Sequence, residues 1–349
     1  MKEVKHVVNN SSSPEIKASI SPFFETEWKP SDYRQLINQD YKTALKGRGY
    51  LVLNDFFKSE TIDGLNRLKE EHTHEGANEI GMFMSAYSSD VRYRKNVHQR
   101  IGELIEPELS NIFTSFKPIL YNFVIKQPRP EHSLKLHQDM ALIDEQLSSP
   151  INIWICTMDT KLEHGPVHLV PKTQYLFPAY RSLYTELDIA NINDTLLKYA
   201  VPICLKKGDL LIFDSRLIHG SLPNTSGKDR VAVVGHICPE GAQFTMVVNS
   251  ENGKEDDFEL VRFEREDLFQ AKEFESAKKS EFNGTTRSRI RLNRINVESP
   301  QLEHYFASVQ VPENKPILEP STGTSGKNQE ADSARKSLLR KLMSRVFKR

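Results

Sequence analysis

Residues 208–221 read GDLLIFDSRLIHGS, and this stretch gives the strongest indication of the fold. Gly208 predicts a turn, the apolar run 210–213 has the length of a buried strand, and His219 follows just past its end. Comparable short runs recur between turn residues, with no helix-length pattern regularly inserted; they lie at 119–125, 151–158, 167–170 and 231–238. This spacing favours a jelly roll or double-sheet barrel over a parallel α/β sheet.

Helical patterns come before these strands. The elements predicted there are a helix from Ser31 to Gly47, a strand at 50–53, a helix from Ser59 and a helix over 101–116. The predicted fold class is therefore mostly β with flanking helices, built around a double-stranded β-helix core of the jelly-roll, cupin-like type.

Composition divides the chain into four segments. Residues 1–30 are polar and contain prolines, which predicts an arm outside the core, whereas residues 31–311 hold the core-forming patterns. Residues 312–334 mix Pro, Ser, Gly and Lys and are interpreted as a flexible linker. Residues 335–349 predict a basic amphipathic helix.

Two features occur late in the core segment. A charge-dense stretch predicts a helix near 264–279. Arg287, Arg289 and Arg291 then alternate with other residues, which favours an edge strand with a charged outer face; phosphate binding is the alternative interpretation.

Charge and cysteine content exclude several classes of protein. The 47 basic and 47 acidic residues balance, which argues against general nucleic-acid binding. The three cysteines are widely spaced and form no CxxC, which argues against a disulfide framework or a Cys-rich zinc site. No apolar stretch has the length of a signal-peptide core or a membrane span, so a cytoplasmic location is expected.

A His-x-acid sequence, HQD, occupies residues 137–139. Residues two apart on a strand point to the same side, so His137 and Asp139 can bind one metal ion together. His219 supplies a third ligand from the end of the apolar run 210–213. Two histidines and one carboxylate form the facial triad of non-heme Fe(II) oxygenases, which leaves open positions for a 2-oxo acid and dioxygen.

Arg230 opens the next apolar run, eleven residues after His219. A strand, a turn at 223–227 and a return strand fit that separation, so Arg230 and His219 can lie side by side. A guanidinium matches a carboxylate bidentately, which an ammonium cannot do, and the hydroxyl of Ser221 would complete such a clamp. The cosubstrate that needs this clamp is 2-oxoglutarate.

These motifs, taken in order, resemble the phytanoyl-CoA dioxygenase family of Fe(II)/2-oxoglutarate-dependent oxygenases. The resemblance covers roughly residues 40–240 and includes GYLVL at 49–53, VIKQP at 124–128, HQD at 137–139, IWI at 153–155, GPVHLVP at 165–171, the run 208–221, NTS at 224–226 and Arg230. One residue and one short segment depart from the family pattern. Asn122 stands where an apolar residue is common, and PKTQ at 171–174 stands where Pro-Gly-Ser-His is usual.

The resemblance implies two groups of site residues. The implied Fe(II) ligands are His137, Asp139 and His219, and the implied contacts of 2-oxoglutarate are Arg230, Ser221, Trp154 and Asn122. The implied activity is hydroxylation of an unactivated C–H bond by O2, with release of succinate and CO2. The substrate classes left open are small molecules, acyl thioesters, carrier-linked acyl groups and natural products.

Alternatives remain at this point. They are a metal-binding module without turnover, a 2-oxoglutarate-independent cupin-like enzyme using zinc or manganese, and a related oxygenase that desaturates, epimerises or cyclises. His164, His168 and His236 are interpreted as core or surface residues, and the pair His72 and His74 as part of a solvated face.

The tail 335–349 carries seven basic residues and no acidic residue. Its apolar residues follow a helical spacing that places them on one stripe, which predicts a peripheral contact with an anionic membrane or an acidic partner. The alternative is a helix that folds back onto the acidic body of the protein, or a frayed end.

Overall fold

The computed structural model describes residues 32–71, 81–145, 147–176, 181, 189–249, 257–270, 286–291 and 297–311. The strands in chain order are β1 (Tyr50–Leu53), β2 (Met82–Met84), β3 (Phe116–Lys126), β4 (Leu134–His137), β5 (Ile151–Cys156), β6 (Val167–Leu169), β7 (Val201–Pro202), β8 (Leu210–Asp214), β9 (His219–Ser221), β10 (Arg230–Pro239), β11 (Thr245–Asn249), β12 (Asp257–Arg262) and β13 (Thr286–Arg291). The helices are α1 (Gln39–Arg48), α2 (Ser59–Glu71), α3 (Val91–Leu109), α4 (Asn193–Tyr199), α5 (Arg265–Gln270) and α6 (Ser299–Ser308).

The chain divides into two units, Met1–Lys315 and Pro316–Arg349. The second unit lies outside the described residues, as do the predicted arm 1–30, the predicted linker 312–334 and the predicted helix 335–349. Those three predictions and the domain boundaries stay predictions.

The larger of the two core sheets has the strand order β1-β8-β5-β10-β3-β2 within the described part of the chain. Every pair of neighbours in it is antiparallel. All residues of β5 and β8 are buried, because both faces of this sheet are covered. This explains why these strands are continuously apolar or nearly so instead of alternating with polar residues.

The smaller core sheet has the order β4-β9-β6-β7 and faces the larger one. A single apolar cluster joins the two sheets, with Val167 and Leu169 from β6 packing among residues of β3, β5, β8 and β10 such as Val124, Trp154 and Ala232. Two antiparallel sheets that share one interior make the jelly-roll core that the sequence predicts.

Helices cover the outer faces of both sheets. The larger sheet packs against α1, α2 and α3 through a cluster that includes Leu45, Leu65 and Ile101. The smaller sheet packs against α4 and α6, where Leu196 and Phe306 are fully buried. The flanking helices therefore close the core on two sides.

A three-stranded sheet, β11-β12-β13, follows the core. Among the described strands, β13 pairs only with β12, so Arg287, Arg289 and Arg291 lie on an edge strand as predicted. The predicted helix near 264–279 is described only as α5, and its later residues lie outside the described part of the chain.

Two helix boundaries differ from the prediction. The first helix begins at Gln39, not at Ser31, and Asn38 caps it by accepting a hydrogen bond from Asp40 N. The third helix runs from Val91 to Leu109, earlier than the predicted 101–116, because the side chain of Asp90 caps its first turn. Among the described helices, none is both long and apolar enough to cross a membrane.

Candidate metal and cosubstrate site

Three predicted ligands meet at one edge of the smaller sheet. His137 ends β4, His219 begins β9, and the two are partners across these antiparallel strands. Asp139 lies two residues beyond the end of β4. One ligand atom from each of the three residues lies within 4.8 Å of the others. Within the described residues this is the group of histidine, cysteine and acidic side chains that can hold a metal ion.

The two imidazoles present the same nitrogen to the cluster. Nδ1 of His137 is 2.9 Å from Lys135 O, and Nδ1 of His219 is 2.9 Å from Leu217 O. A carbonyl only accepts, so each Nδ1 carries the proton and donates it. Each Nε2 is therefore left as a lone-pair donor, which is the form that binds a metal.

Electrostatics keep His219 and Asp139 in their metal-binding forms. Burial lowers the pKa of His219 to about 4, although Asp139 opposes that shift, so the ring is neutral near pH 7. Burial alone would raise the pKa of Asp139, but the electrostatic influence of His219 and His137, which lie beside the carboxylate, holds it well below its usual range. His219 thus offers a neutral imidazole, and Asp139 offers a carboxylate.

Arg230 begins β10 and points into the space between the two sheets. It is 1% exposed, and Nη1 donates to Gly165 O. Its other edge, formed by Nε and Nη2, is buried and makes no hydrogen bond to any described residue. Burial lowers the pKa of this guanidinium to about 10, which still leaves it charged near neutral pH. A buried cationic edge without an acceptor is a ready site for a carboxylate.

Lys126 is a second buried cation at the same place, and it is not among the site residues predicted from the sequence. It is the Cα partner of Arg230 across β3 and β10, and its Nζ donates to Ser221 Oγ at 2.7 Å. Burial, with the charge of Arg230, lowers its pKa to about 7. The sequence signal that could have indicated it is a lysine placed directly after the apolar run 119–125.

The remaining predicted contacts also point inward. Trp154 is buried, and Arg230 Cζ lies 5.1 Å from the centre of its ring. Asn122 is buried on β3, where Nδ2 donates to Val234 O at 3.3 Å, while Oδ1 makes no hydrogen bond to a described residue. The structure therefore places both residues in the same interior as Arg230 and Ser221.

The other described histidines of the strand region lie outside the candidate metal cluster. His168 is buried with Nδ1 against Pro166 O, and His164 Nδ1 accepts from Lys161 N. His236 contacts the side chain of Asn152. His72 and His74 lie outside the described residues.

Comparison with known proteins matches this chain to one family. The family model described as phytanoyl-CoA dioxygenase (PhyH) matches residues 45–232, a little more than half of the chain. The chain belongs to the phytanoyl-CoA dioxygenase family of Fe(II)/2-oxoglutarate oxygenases. Among curated proteins, phytanoyl-CoA dioxygenase domain-containing protein 1 of Danio rerio is 22% identical over 246 residues, which cover 64% of this chain and 80% of that protein.

The solved structures that are similar to this chain include two proteins of low sequence identity. HygX from Streptomyces hygroscopicus, determined with nickel, 2-oxoglutarate and hygromycin B, is 14% identical with a TM-score of 0.45 and covers 59% of this chain and 88% of its own. The carbocyclase SnoK from nogalamycin biosynthesis is 16% identical with a TM-score of 0.44 and covers 63% of this chain and 89% of its own.

The departure from the family at residues 171–174 has a local structural account. Lys172 has a left-handed backbone with φ 64°, at the position where the family usually has glycine. Tyr305 of α6 donates to Lys172 O at 2.6 Å, and Lys172 Nζ donates to Val309 O. Thr173 Oγ1 accepts from Ile218 N at 2.9 Å. The substituted residues thus tie the loop to α6 and to the segment that precedes His219.

Proposed function

We propose that this protein is an Fe(II)- and 2-oxoglutarate-dependent dioxygenase that hydroxylates an unactivated C–H bond and releases succinate and CO2. The observation that carries the proposal is the unpartnered, buried edge of Arg230 between the same two sheets that hold His137, Asp139 and His219. A metal-binding protein without 2-oxoglutarate has no need of such an edge.

The residues of the site fit both a metal ion and 2-oxoglutarate. Two imidazole nitrogens and one carboxylate oxygen are the donor set of a non-heme Fe(II) site, and the bound metal with 2-oxoglutarate supplies the oxidising chemistry. Nε and Nη2 of Arg230 fit the distal carboxylate of 2-oxoglutarate as a bidentate pair. Ser221 Oγ and the ammonium of Lys126 would add a hydroxyl and a second positive charge to that end.

The protein's own contribution is orientation and a dry interior. Trp154 packs beside the Arg230 guanidinium, and the surrounding cluster of Val124, Ala232 and Val234 is apolar. Water is excluded from the edge of Arg230 because that edge is buried. Ionic contacts are stronger where water is excluded, so a carboxylate there is held in one orientation.

The substrate proposed is a small molecule, an acyl thioester, a carrier-linked acyl group or a natural product. The test is a panel of such compounds incubated with the Fe(II)-loaded protein, 2-oxoglutarate and O2, with succinate measured. Substrate-dependent succinate release is the expected result. Mass analysis of the product separates hydroxylation, a gain of one oxygen, from desaturation, cyclisation or epimerisation.

Two results would contradict the proposal. Binding of Fe(II) without any binding of 2-oxoglutarate would favour a cupin-like protein that does not use this cosubstrate. Binding of both groups with no succinate formed from any compound of the panel would favour a non-catalytic family member. His164→Ala, which alters a histidine outside the cluster, is the matched control for variants of the three ligands.

A further inference from the structure

We infer that Asn152, held in place by His236, is a positioning residue that sets how the carboxylate of Asp139 faces the metal. The inference rests on the proposed function, because Asp139 matters here as a metal ligand. Neither Asn152 nor His236 belongs to the predicted ligand or cosubstrate residues.

The two oxygens of the Asp139 carboxylate have different surroundings. Oδ1 lies 3.7 Å from His137 Nε2 and 3.6 Å from His219 Nε2. Oδ2 accepts a hydrogen bond from Asn152 Nδ2 at 2.8 Å. The carboxylate therefore offers one oxygen to the cluster while the other is already engaged.

The orientation of the Asn152 amide follows from its two neighbours. Asn152 Oδ1 lies 2.7 Å from Nδ1 of His236. The reverse amide orientation would place its oxygen against the carboxylate, where two acceptors repel. Nδ2 must therefore face Asp139, and His236 must carry its proton on Nδ1 and donate it to Asn152. His236 thus acts on Asp139 through Asn152.

Strand register brings the three residues together. Asn152 on β5 and His236 on β10 are direct Cα partners in the antiparallel pair. Asn152 alternates with Ile151 and Ile153, which pack on the helix side of the sheet, so the asparagine points to the interior. The polar pair is built on the rigid centre of the larger sheet, which is what a positioning role requires.

Partners of a ligating group commonly change metal affinity about 10–100-fold when they are removed. Loss of the Asn152 amide frees Oδ2, so the carboxylate can rotate and Oδ1 no longer faces both imidazoles. Loss of the His236 donor frees the amide to turn, which weakens the same contact indirectly. The two effects should not add, because they act through one hydrogen bond to Asp139.

The experiment titrates Co(II) into the full-length protein by calorimetry, without 2-oxoglutarate. Asn152→Ala is expected to weaken Co(II) binding about 10–100-fold. His236→Phe keeps a ring but lacks the donor, and should weaken binding less. His236→Asn keeps a donor near the Nδ1 position and should restore it. The double variant Asn152→Ala with His236→Phe should match Asn152→Ala alone. Ile153→Val, next to Asn152 but facing the helices, is the control and should leave the affinity unchanged.

Unchanged Co(II) affinity in a folded Asn152→Ala protein would overturn the inference, as would additive losses in the double variant. Where Asn152→Ala does not fold, the pair His236→Phe and His236→Asn decides the matter, and equal affinities in that pair overturn it. If the wild-type protein binds no Co(II), the proposed function falls and the inference with it. A wild-type protein that binds Co(II) and forms succinate, beside an Asn152→Ala protein of equal affinity, removes the positioning role alone.

Discussion

The proposed metal site consists of three side chains whose Nε2 and Oδ1 atoms converge. His137→Ala or Asp139→Ala leaves two ligands, so we expect Fe(II)-dependent turnover to be lost while the fold survives. His137 ends β4, Asp139 lies two residues beyond it, and both are partly exposed, which is why the core should tolerate the change. Metal content after loading and circular dichroism measure the two effects. Full activity in either purified variant would contradict the metal-site assignment, and His164→Ala should behave like the wild type.

Arg230 tests the cosubstrate assignment separately from the metal. Arg230→Lys keeps the positive charge but removes the planar edge, so one charge-assisted hydrogen bond worth roughly 1.5–3 kcal/mol is lost. The apparent dissociation constant for 2-oxoglutarate should rise by about one to two orders of magnitude, while Fe(II) affinity changes little. The exposed Arg48→Lys is the matched control. An unchanged dissociation constant for 2-oxoglutarate would show that its carboxylate does not bind to Arg230.

Lys126 predicts a pH dependence of 2-oxoglutarate binding. Its pKa is lowered to about 7, so the ammonium is present below that pH and is lost as the pH rises through it. A dianionic cosubstrate binds better to the charged form, so its affinity should fall between about pH 7 and pH 8.5. Calorimetry across this range measures the effect, and Lys126→Met should bind more weakly with a flatter profile. Parallel profiles in the two proteins would show that Lys126 does not contact the cosubstrate.

The sequence predicts some of these residues and not others. His137, Asp139, His219 and Arg230 follow from ligand chemistry and from spacing along the chain. Lys126, Asn152 and His236 owe their positions to strand partners distant in sequence, such as the pairing of Asn152 with His236. A single sequence does not specify which residues face each other across β5, β10 and β3, so their contacts became evident only from the structure.

Among the strands, β4 and β9 must approach closely to bring the ligands of the proposed metal site together. Gly220 lies between His219 and Ser221, and a Cβ there would sit 2.6 Å from Leu134 O and 3.1 Å from Leu136 N. Both contacts are with backbone, which cannot rotate away. Gly220→Ala should therefore push β4 from β9, separate His137 from His219, and lower both Co(II) affinity and the melting temperature. Calorimetry and thermal unfolding measure these losses.

Gly47→Ala is the matched control for this element. Gly47 lies within α1, and a Cβ there meets no atom within 4 Å. Alanine is the better helix former by about 0.5–1 kcal/mol, so this variant should be as stable as the wild type or slightly more stable, with unchanged metal affinity. Equal behaviour of the two glycine variants would show that the spacing of β4 and β9 does not control the site.

Strands were predicted more accurately than helix boundaries, for a physical reason. Runs such as 151–158 and 231–238 are apolar because both faces of the larger sheet are covered, and burial of that kind is visible in sequence. Residues 33–37 have an apolar pattern that also fits a helix. Instead, Tyr33 has a left-handed backbone, and its hydroxyl donates a hydrogen bond to Asp214 at 2.5 Å. Leu36 pairs with Phe113 in an isolated antiparallel β-bridge. These tertiary contacts decide against the helix, and the local pattern does not reveal them.

At the scale of the whole molecule, charge is distributed unevenly along the chain. The full sequence has 47 basic and 47 acidic residues, but the tail 335–349 holds seven of the basic ones and none of the acidic ones. The rest of the chain therefore has a net charge of −7. A cationic segment on an anionic protein can be attracted either to that protein's own surface or to an external anionic surface, and the two outcomes depend differently on the apolar stripe of the tail.

The tail is expected to give weak, reversible attachment to anionic membranes. Its apolar residues recur at helical spacing opposite the basic ones; they are Leu338, Leu339, Leu342, Met343, Val346 and Phe347. Each basic residue near an anionic surface contributes about 1 kcal/mol, and salt screens that attraction. The protein should therefore co-sediment with vesicles of phosphatidylcholine and phosphatidylserine at low salt, less so at high salt, and not after truncation following Asp332.

Two substitutions of equal charge separate an inserted stripe from simple charge attraction. Leu342→Glu places a carboxylate within the apolar stripe, whereas Ser344→Glu places one on the opposite face of the predicted helix. If the stripe enters the membrane, Leu342→Glu should reduce co-sedimentation much more than Ser344→Glu, because burying a carboxylate costs far more than reducing the net charge by one. Equal losses would indicate attraction by charge alone. Equal sedimentation of the full-length and truncated proteins would instead assign the tail to the protein's own acidic surface or to a frayed end.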